Sequence, residues 1–156
     1  MKLLLLSSFI LLITTLALLA ADAPATQASG PKRTTASGLT IIETKKLSDA
    51  LVAQNDDVVW VNYTGRFQSD GKKFDSSYDR KDQETGRPTP LSFVLGKGRV
   101  IKGWHEGIVG MKVGEKRQLI VPPALAYGER GSEGGEIPAN STLVFDVELV
   151  GIYRGE

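Results

Sequence analysis

The sequence predicts an α+β domain, an antiparallel β-sheet with one short α-helix packed on it, from three observations. First, in VIKGWHEGIVGM (100–111) Ile101, Trp104 and Ile108 recur at helical spacing, while Lys102, His105 and Glu106 fall elsewhere around the turn. Gly96 and Gly98 before it and Gly110 and Gly114 after it make it one short helix crossing between strands, with Trp104 either in the core or at the floor of a pocket. Second, Thr142 to Ile152 alternates: Leu143, Phe145, Val147 and Leu149 point one way, Asp146 and Glu148 the other, as in a half-buried antiparallel strand. Third, Ser69-Asp70-Gly71 is a turn signal between two strand-like runs and marks a hairpin.

The elements follow in order. Residues 1–25 open with Met1 and Lys2, continue in an uncharged leucine-rich run and end in Ala23-Pro24-Ala25, the pattern of a secretory signal peptide cleaved before Thr26. An uncleaved membrane anchor is the alternative, because the run approaches the length that spans a bilayer. Residues 26–37 carry too few apolar side chains to offset their ordering entropy and read as a flexible linker. The folded part, 38–156, begins with the strand LTIIET and crosses over through KLSDALVAQND to the strand DVVWVNYTG. Lys73 to Ser76 returns as the second arm of the hairpin. The polar stretch Lys81 to Pro90 is an exposed loop, and Leu91 to Leu95 is a strand. Beyond the helix, Glu115 to Val121 is a strand stopped by Pro122-Pro123, Ala124 to Tyr127 makes one helical turn, and Gly128 to Glu136 is a mobile surface loop.

Composition excludes several function classes. Lys+Arg number 19 against 18 Asp+Glu, with no basic block interleaved with aromatics, so nucleic acid is not an expected partner. With no cysteine and one histidine, His105, the chain has no sulfur-based metal site, little for an imidazole-based one and no ready nucleophile–base pair. His105 itself reads as an exposed helix residue. Asp75, Asp79 and Asp82 lack the alternation and glycine of a calcium loop, and GKGRVIKG (96–103) fails both nucleotide-loop patterns. What remains is an aromatic set at the ends of elements: Tyr63, Phe74, Phe93, Trp104, Tyr127 and Phe145. Spacing alone leaves open whether they are core or a pocket.

The strings VNYTG (61–65), GKKFDSS (71–77), VIKGW followed by EG (100–107), VGEKRQLIVPP (113–123), AYG (126–128) and TLVFDVEL (142–149) resemble, in order, the FKBP-type peptidyl-prolyl isomerases, the macrolide-binding immunophilins. The resemblance runs from about Ser37 to Tyr153. It implies an antiparallel sheet wrapped around one short helix. It also implies a substrate pocket with Trp104 as floor, Tyr63, Phe74, Val100, Ile101, Tyr127 and Phe145 as walls, and Asp75 and Arg80 at the polar edge. Leu91 and Ile137 would add substrate contacts. The Ile101 N–H and the Tyr127 hydroxyl would meet ligand carbonyls, and Asp75 would contact Tyr63 or ligand. Leu91 departs from the aromatic common at its position, Lys81 to Thr89 looks like an insertion, and Glu133 and Glu136 stand where relatives often carry His or Ile.

The resemblance implies peptidyl-prolyl cis-trans isomerase activity on proline-containing polypeptides, macrolides as ligands, and no cofactor or metal. The alternative is a binding module or holdase chaperone that uses the same pocket without turnover. With the signal segment, the expected setting is folding of exported proteins, in the bacterial periplasm first, with the endoplasmic reticulum or the exterior as alternatives. Membrane contact is expected only if residues 1–25 stay attached. The dimerising helices of larger relatives are absent, so a monomer is expected.

Overall fold

The computed structural model describes residues 28–155. Residues 1–25, on which the export signal or anchor was read, lie outside that range. The described strands are β1 (Lys32–Thr34), β2 (Thr40–Lys45), β3 (Val58–Phe67), β4 (Lys73–Ser76), β5 (Leu91–Val94), β6 (Lys116–Val121) and β7 (Leu143–Tyr153), with one helix, α1 (Lys102–Ile108). They form one seven-stranded sheet in the order β1-β2-β6-β7-β3-β4, every pairing antiparallel. The outer edge of β3 is shared: β5 pairs with Val58–Val61 and β4 with Thr64–Arg66. The predicted fold class is the observed one.

The inner face of the sheet carries Ile41, Val59, Val61, Leu119, Val121, Leu143, Val147 and Leu149, all buried. They close over Trp104, Ile108 and Met111 in a single core. Why α1 lies so close to the sheet is visible in its own sequence. A Cβ on Gly103 would come within 2.5 Å of Val121 Cγ1, and one on Gly107 within 2.6 Å of Leu119 Cδ1. Glycine at these two positions lets the helix settle onto β6, and any side chain there would lift Trp104 off the core. Beyond the helix end, the buried Arg117 of β6 donates to the carbonyls of Gly107 (2.8 Å), Val109 (3.2 Å) and Gly110 (3.2 Å), which the last turn leaves unpaired. At the far end of β3, Asp57 is 2% exposed. Its carboxylate accepts from Arg154 Nε (2.7 Å), Arg154 Nη2 (2.7 Å) and the Gln54 N–H (2.8 Å), fastening the segment after β7 to the start of β3.

Two readings are corrected. Within the stretch read as a flexible linker, Lys32–Thr34 forms β1, paired with β2 through Lys32↔Ile42, Arg33↔Ile41 and Thr34↔Thr40. All three residues are exposed, so the ladder hydrogen bonds hold the strand and no apolar side chain announces it. The glycine-rich loop after Gly128, read as mobile, is closed on itself: Ser132 N–H donates to the Ile137 carbonyl and the Ile137 N–H to Ser132 Oγ, both at 2.9 Å. Asn140 N–H ties its far end to the Gly128 carbonyl at 2.9 Å.

Candidate active site

Strand register brings the aromatic set together. Tyr63 and Phe145 reach one face from the neighbouring strands β3 and β7, Phe74 comes from β4, and α1 lays Trp104 beneath them. Trp104 is 3% exposed. The Tyr63 ring meets it edge-on at a centroid distance of 4.9 Å and 77°, Phe145 at 5.3 Å and 89°, and Phe74 meets Phe145 at 5.7 Å and 87°. Such edge-to-face packing holds each ring by its neighbours and leaves a rigid apolar concavity. Phe93, at 5.9 Å from Trp104, braces the indole.

The concavity opens as a cleft of about 200 Å³. Tyr63, Phe74, Asp75, Leu91, Val100, Ile101, Trp104, Tyr127 and Phe145 line it. Arg80 and Ile137 do not. Arg80 sits at the rim, bound to two residues of the wall, and Ile137 is buried in the core, 5% exposed. Arg99 also lines the cleft and was not foreseen, although it directly precedes Val100 and Ile101 in the chain.

The polar edge is one connected network. Tyr63 donates its hydroxyl to Asp75 Oδ2; Asp75 Oδ1 accepts from Arg80 Nη1 and from the Ser76 N–H, both at 2.8 Å; and Arg80 Nη2 donates back to the Tyr63 hydroxyl at 2.7 Å. Burial and the carboxylate beside it push the Tyr63 hydroxyl up to about 12. Burial alone would raise Asp75, but the bonds from Tyr63 and Arg80 outweigh it and hold the carboxyl below the usual range. At neutral pH Tyr63 is therefore a fixed neutral donor and Asp75 a fixed anion, and neither is poised to move a proton. The Tyr63 backbone is locked as well, its N–H donating to Ser77 Oγ and its carbonyl accepting from Ser76 Oγ, each at 2.9 Å.

Two donors at the cleft are unspent. Among the described residues neither the Ile101 N–H nor the Tyr127 hydroxyl has a hydrogen-bond partner. Tyr127 is 42% exposed. The indole N–H of Trp104 is buried and likewise unpaired. His105, read as an exposed helix residue, is half-buried against Phe93, and its Nδ1 accepts from the Gly96 N–H at 2.9 Å. Burial lowers its pKa. Among the described residues no three His, Cys, Asp or Glu side chains gather as a metal site would need.

A model of the FKBP-type peptidyl-prolyl cis-trans isomerases matches residues 50–150. The chain belongs to this FKBP family. It is 58% identical over 96 residues to FK506-binding protein 1A of Neurospora crassa, covering 62% of this chain and 72% of that protein. It is 50% identical over 113 residues to the peptidyl-prolyl cis-trans isomerase FPR2 of Saccharomyces cerevisiae, covering 72% and 78%. Other FKBP relatives are longer; the match spans 46% of FK506-binding protein 2B of Rhizopus delemar. The crystal structure of AtFKBP13 superposes with a TM-score of 0.66 at 38% identity, over 79% of this chain and 99% of that one. The chain is thus a peptidyl-prolyl cis-trans isomerase of the FKBP type. The origin of the matching proteins corrects the expectation of an exported, periplasmic protein: the relatives from Neurospora crassa and Saccharomyces cerevisiae, like others from Candida glabrata and Dictyostelium discoideum, come from organisms without a bacterial periplasm.

Proposed function

We propose that this FKBP speeds rotation about X-Pro bonds by seating the prolyl ring on Trp104 between Tyr63, Phe74 and Phe145. The Ile101 N–H and the Tyr127 hydroxyl then hold the flanking carbonyls. Residues 38–156, with β1 added at the edge, form the working unit, acting as a monomer on proline-containing polypeptides, and macrolides such as FK506 compete for the same cleft.

The observation that carries this reading is the rigid aromatic floor with two unspent donors beside it. Rotation costs about 20 kcal/mol because twisting the peptide bond forfeits its resonance. The twisted amide is less dipolar than the planar one, so a dry, apolar cleft penalises the ground state more than the transition state. Removing roughly 5 kcal/mol speeds exchange several thousandfold. Donors fixed at the carbonyls spare the chain the entropy of finding the twisted geometry. No bond is made or broken, and with Tyr63 held neutral and Asp75 ionised no proton need move.

The test is the cis-to-trans exchange rate of a short X-Pro peptide with the wild-type chain and with Phe74→Leu and Tyr127→Phe, each checked for folding by circular dichroism. Catalysis that falls at least about tenfold in a folded Phe74→Leu variant supports the reading. A folded wild-type chain that binds the peptide without speeding exchange replaces it with a holdase.

A further inference from the structure

The proline cleft does not end at Tyr127. A second groove of about 550 Å³ runs between residues 98–102 and residues 124–128, and Arg99, Val100, Ile101 and Tyr127 belong to both. A polypeptide with its prolyl ring on Trp104 can continue along this groove, across the four residues the two share.

The charges along it are unbalanced. Other cations of this region are neutralised: Lys97 pairs with Asp56 and Arg80 with Asp75, both at 2.8 Å. Arg99 and Lys102 line the groove, are exposed, and make no ion pair or side-chain hydrogen bond among the described residues. Glu106, one turn along α1 from Lys102, is engaged instead by the Ser37 hydroxyl at 2.7 and 2.9 Å. The opposite bank, residues 124–128, carries no acidic side chain; the Tyr127 hydroxyl there is raised by burial first, then by Asp75 and Glu136. The bank formed by 98–102 is therefore a cationic strip contiguous with the proline site, with no anion of its own within ion-pair reach.

We infer that this groove is a client subsite selecting an acidic residue next to the proline, with Arg99 and Lys102 as its specificity determinants. The inference rests on the prolyl ring occupying the Trp104 cleft. An ion pair at an exposed site contributes modestly, so two cations that attract glutamate and repel lysine give a preference of about fivefold.

The experiment compares kcat/KM of the full chain on peptides that differ only in the residue before proline, or only in the residue after it, carrying Glu, Gln or Lys. On one side of the proline the Glu:Lys ratio is expected near five at low salt. It falls towards one in about 0.5 M NaCl, where the screening length drops to about 4 Å. In Arg99→Glu/Lys102→Glu the ratio inverts. Because it is taken within each protein, a general loss of turnover cannot imitate the result. Arg99→Gln alone, an exposed change, gives an intermediate ratio should the double variant fold poorly. A ratio near one on both sides in wild type, or one the variants do not shift, overturns the inference while leaving the isomerase standing. No turnover of any peptide overturns the isomerase reading and the subsite with it.

Discussion

Asp75 and Asp57 each take an arginine partner, and the two pairs differ in almost everything else. Asp75 and Arg80 are five residues apart, 42% and 50% exposed in their side chains, and joined by a single bond of 2.8 Å that continues to the Tyr63 hydroxyl. Asp57 and Arg154 come from opposite ends of the domain. The aspartate is 2% exposed and held by two arginine nitrogens and a backbone N–H. The first pair orients a group in the cleft; the second fastens the chain. Identical chemistry thus yields aim at one place and cohesion at another, decided by burial and by the length of chain the pair closes.

Four measurements would break or sharpen that contrast. The largest effect is expected from Asp57→Ala, which strands Arg154 and the Gln54 N–H: urea unfolding should show a loss of roughly 3 kcal/mol with kcat/KM at 25 °C unchanged. Asp75→Asn should do the reverse. It loosens Tyr63 and lowers kcat/KM about fivefold, the equivalent of ~1 kcal/mol, while stability moves by less than about 1 kcal/mol. If Asp75→Asn unfolds the domain instead, the contrast fails.

Acid separates the pairs a third way. Both carboxyls are held below their ordinary value near 3.8, Asp57 chiefly by the bonds from Arg154, and Asp75 by Tyr63 and Arg80 against the pull of burial. A depressed folded pKa gives stability that is present above the unfolded value and lost as pH falls through the folded one. The urea midpoint should therefore hold to about pH 5 and fall below about pH 4, with a shallower acid limb in Asp57→Asn and little change of limb in Asp75→Asn. The smallest effect is expected from Arg80→Lys. It keeps the charge but loses the fork that reaches both Asp75 and Tyr63, and should lower kcat/KM about twofold.

Legibility from sequence followed the same division between near and far. The hairpin arm Lys73–Ser76 was read to the residue, because turn chemistry at Ser69-Asp70-Gly71 is local. The alternation of β7 was legible too, apart from Val144, which is buried on the other face with Ile42 and Ile120 in a small second cluster. The cleft residues were found because their strings resemble a known family; periodicity alone left Trp104 between core and pocket. What stayed hidden depends on distant partners. β1 exists only by pairing with β2, Arg117 is buried because it caps α1, and His105 turns inward because the Gly96 N–H needs an acceptor. Arg99 shows no pattern at all, and only the folded course of residues 98–102 puts it on the cleft.

The ladder between β3 and β7 has a consequence for how the molecule comes into being. It is the longest pairing of the sheet, and it joins Phe67 to Leu143 and Val58 to Tyr153. Tyr63, Phe74 and Trp104 therefore leave the ribosome well before Phe145, and until β7 arrives their cavity has no fourth wall and the sheet is split through its middle. Domains built on such remote pairings fold slowly for their size. A nascent chain of this isomerase must keep its own unfinished aromatic surface from other chains before it can offer that surface to theirs.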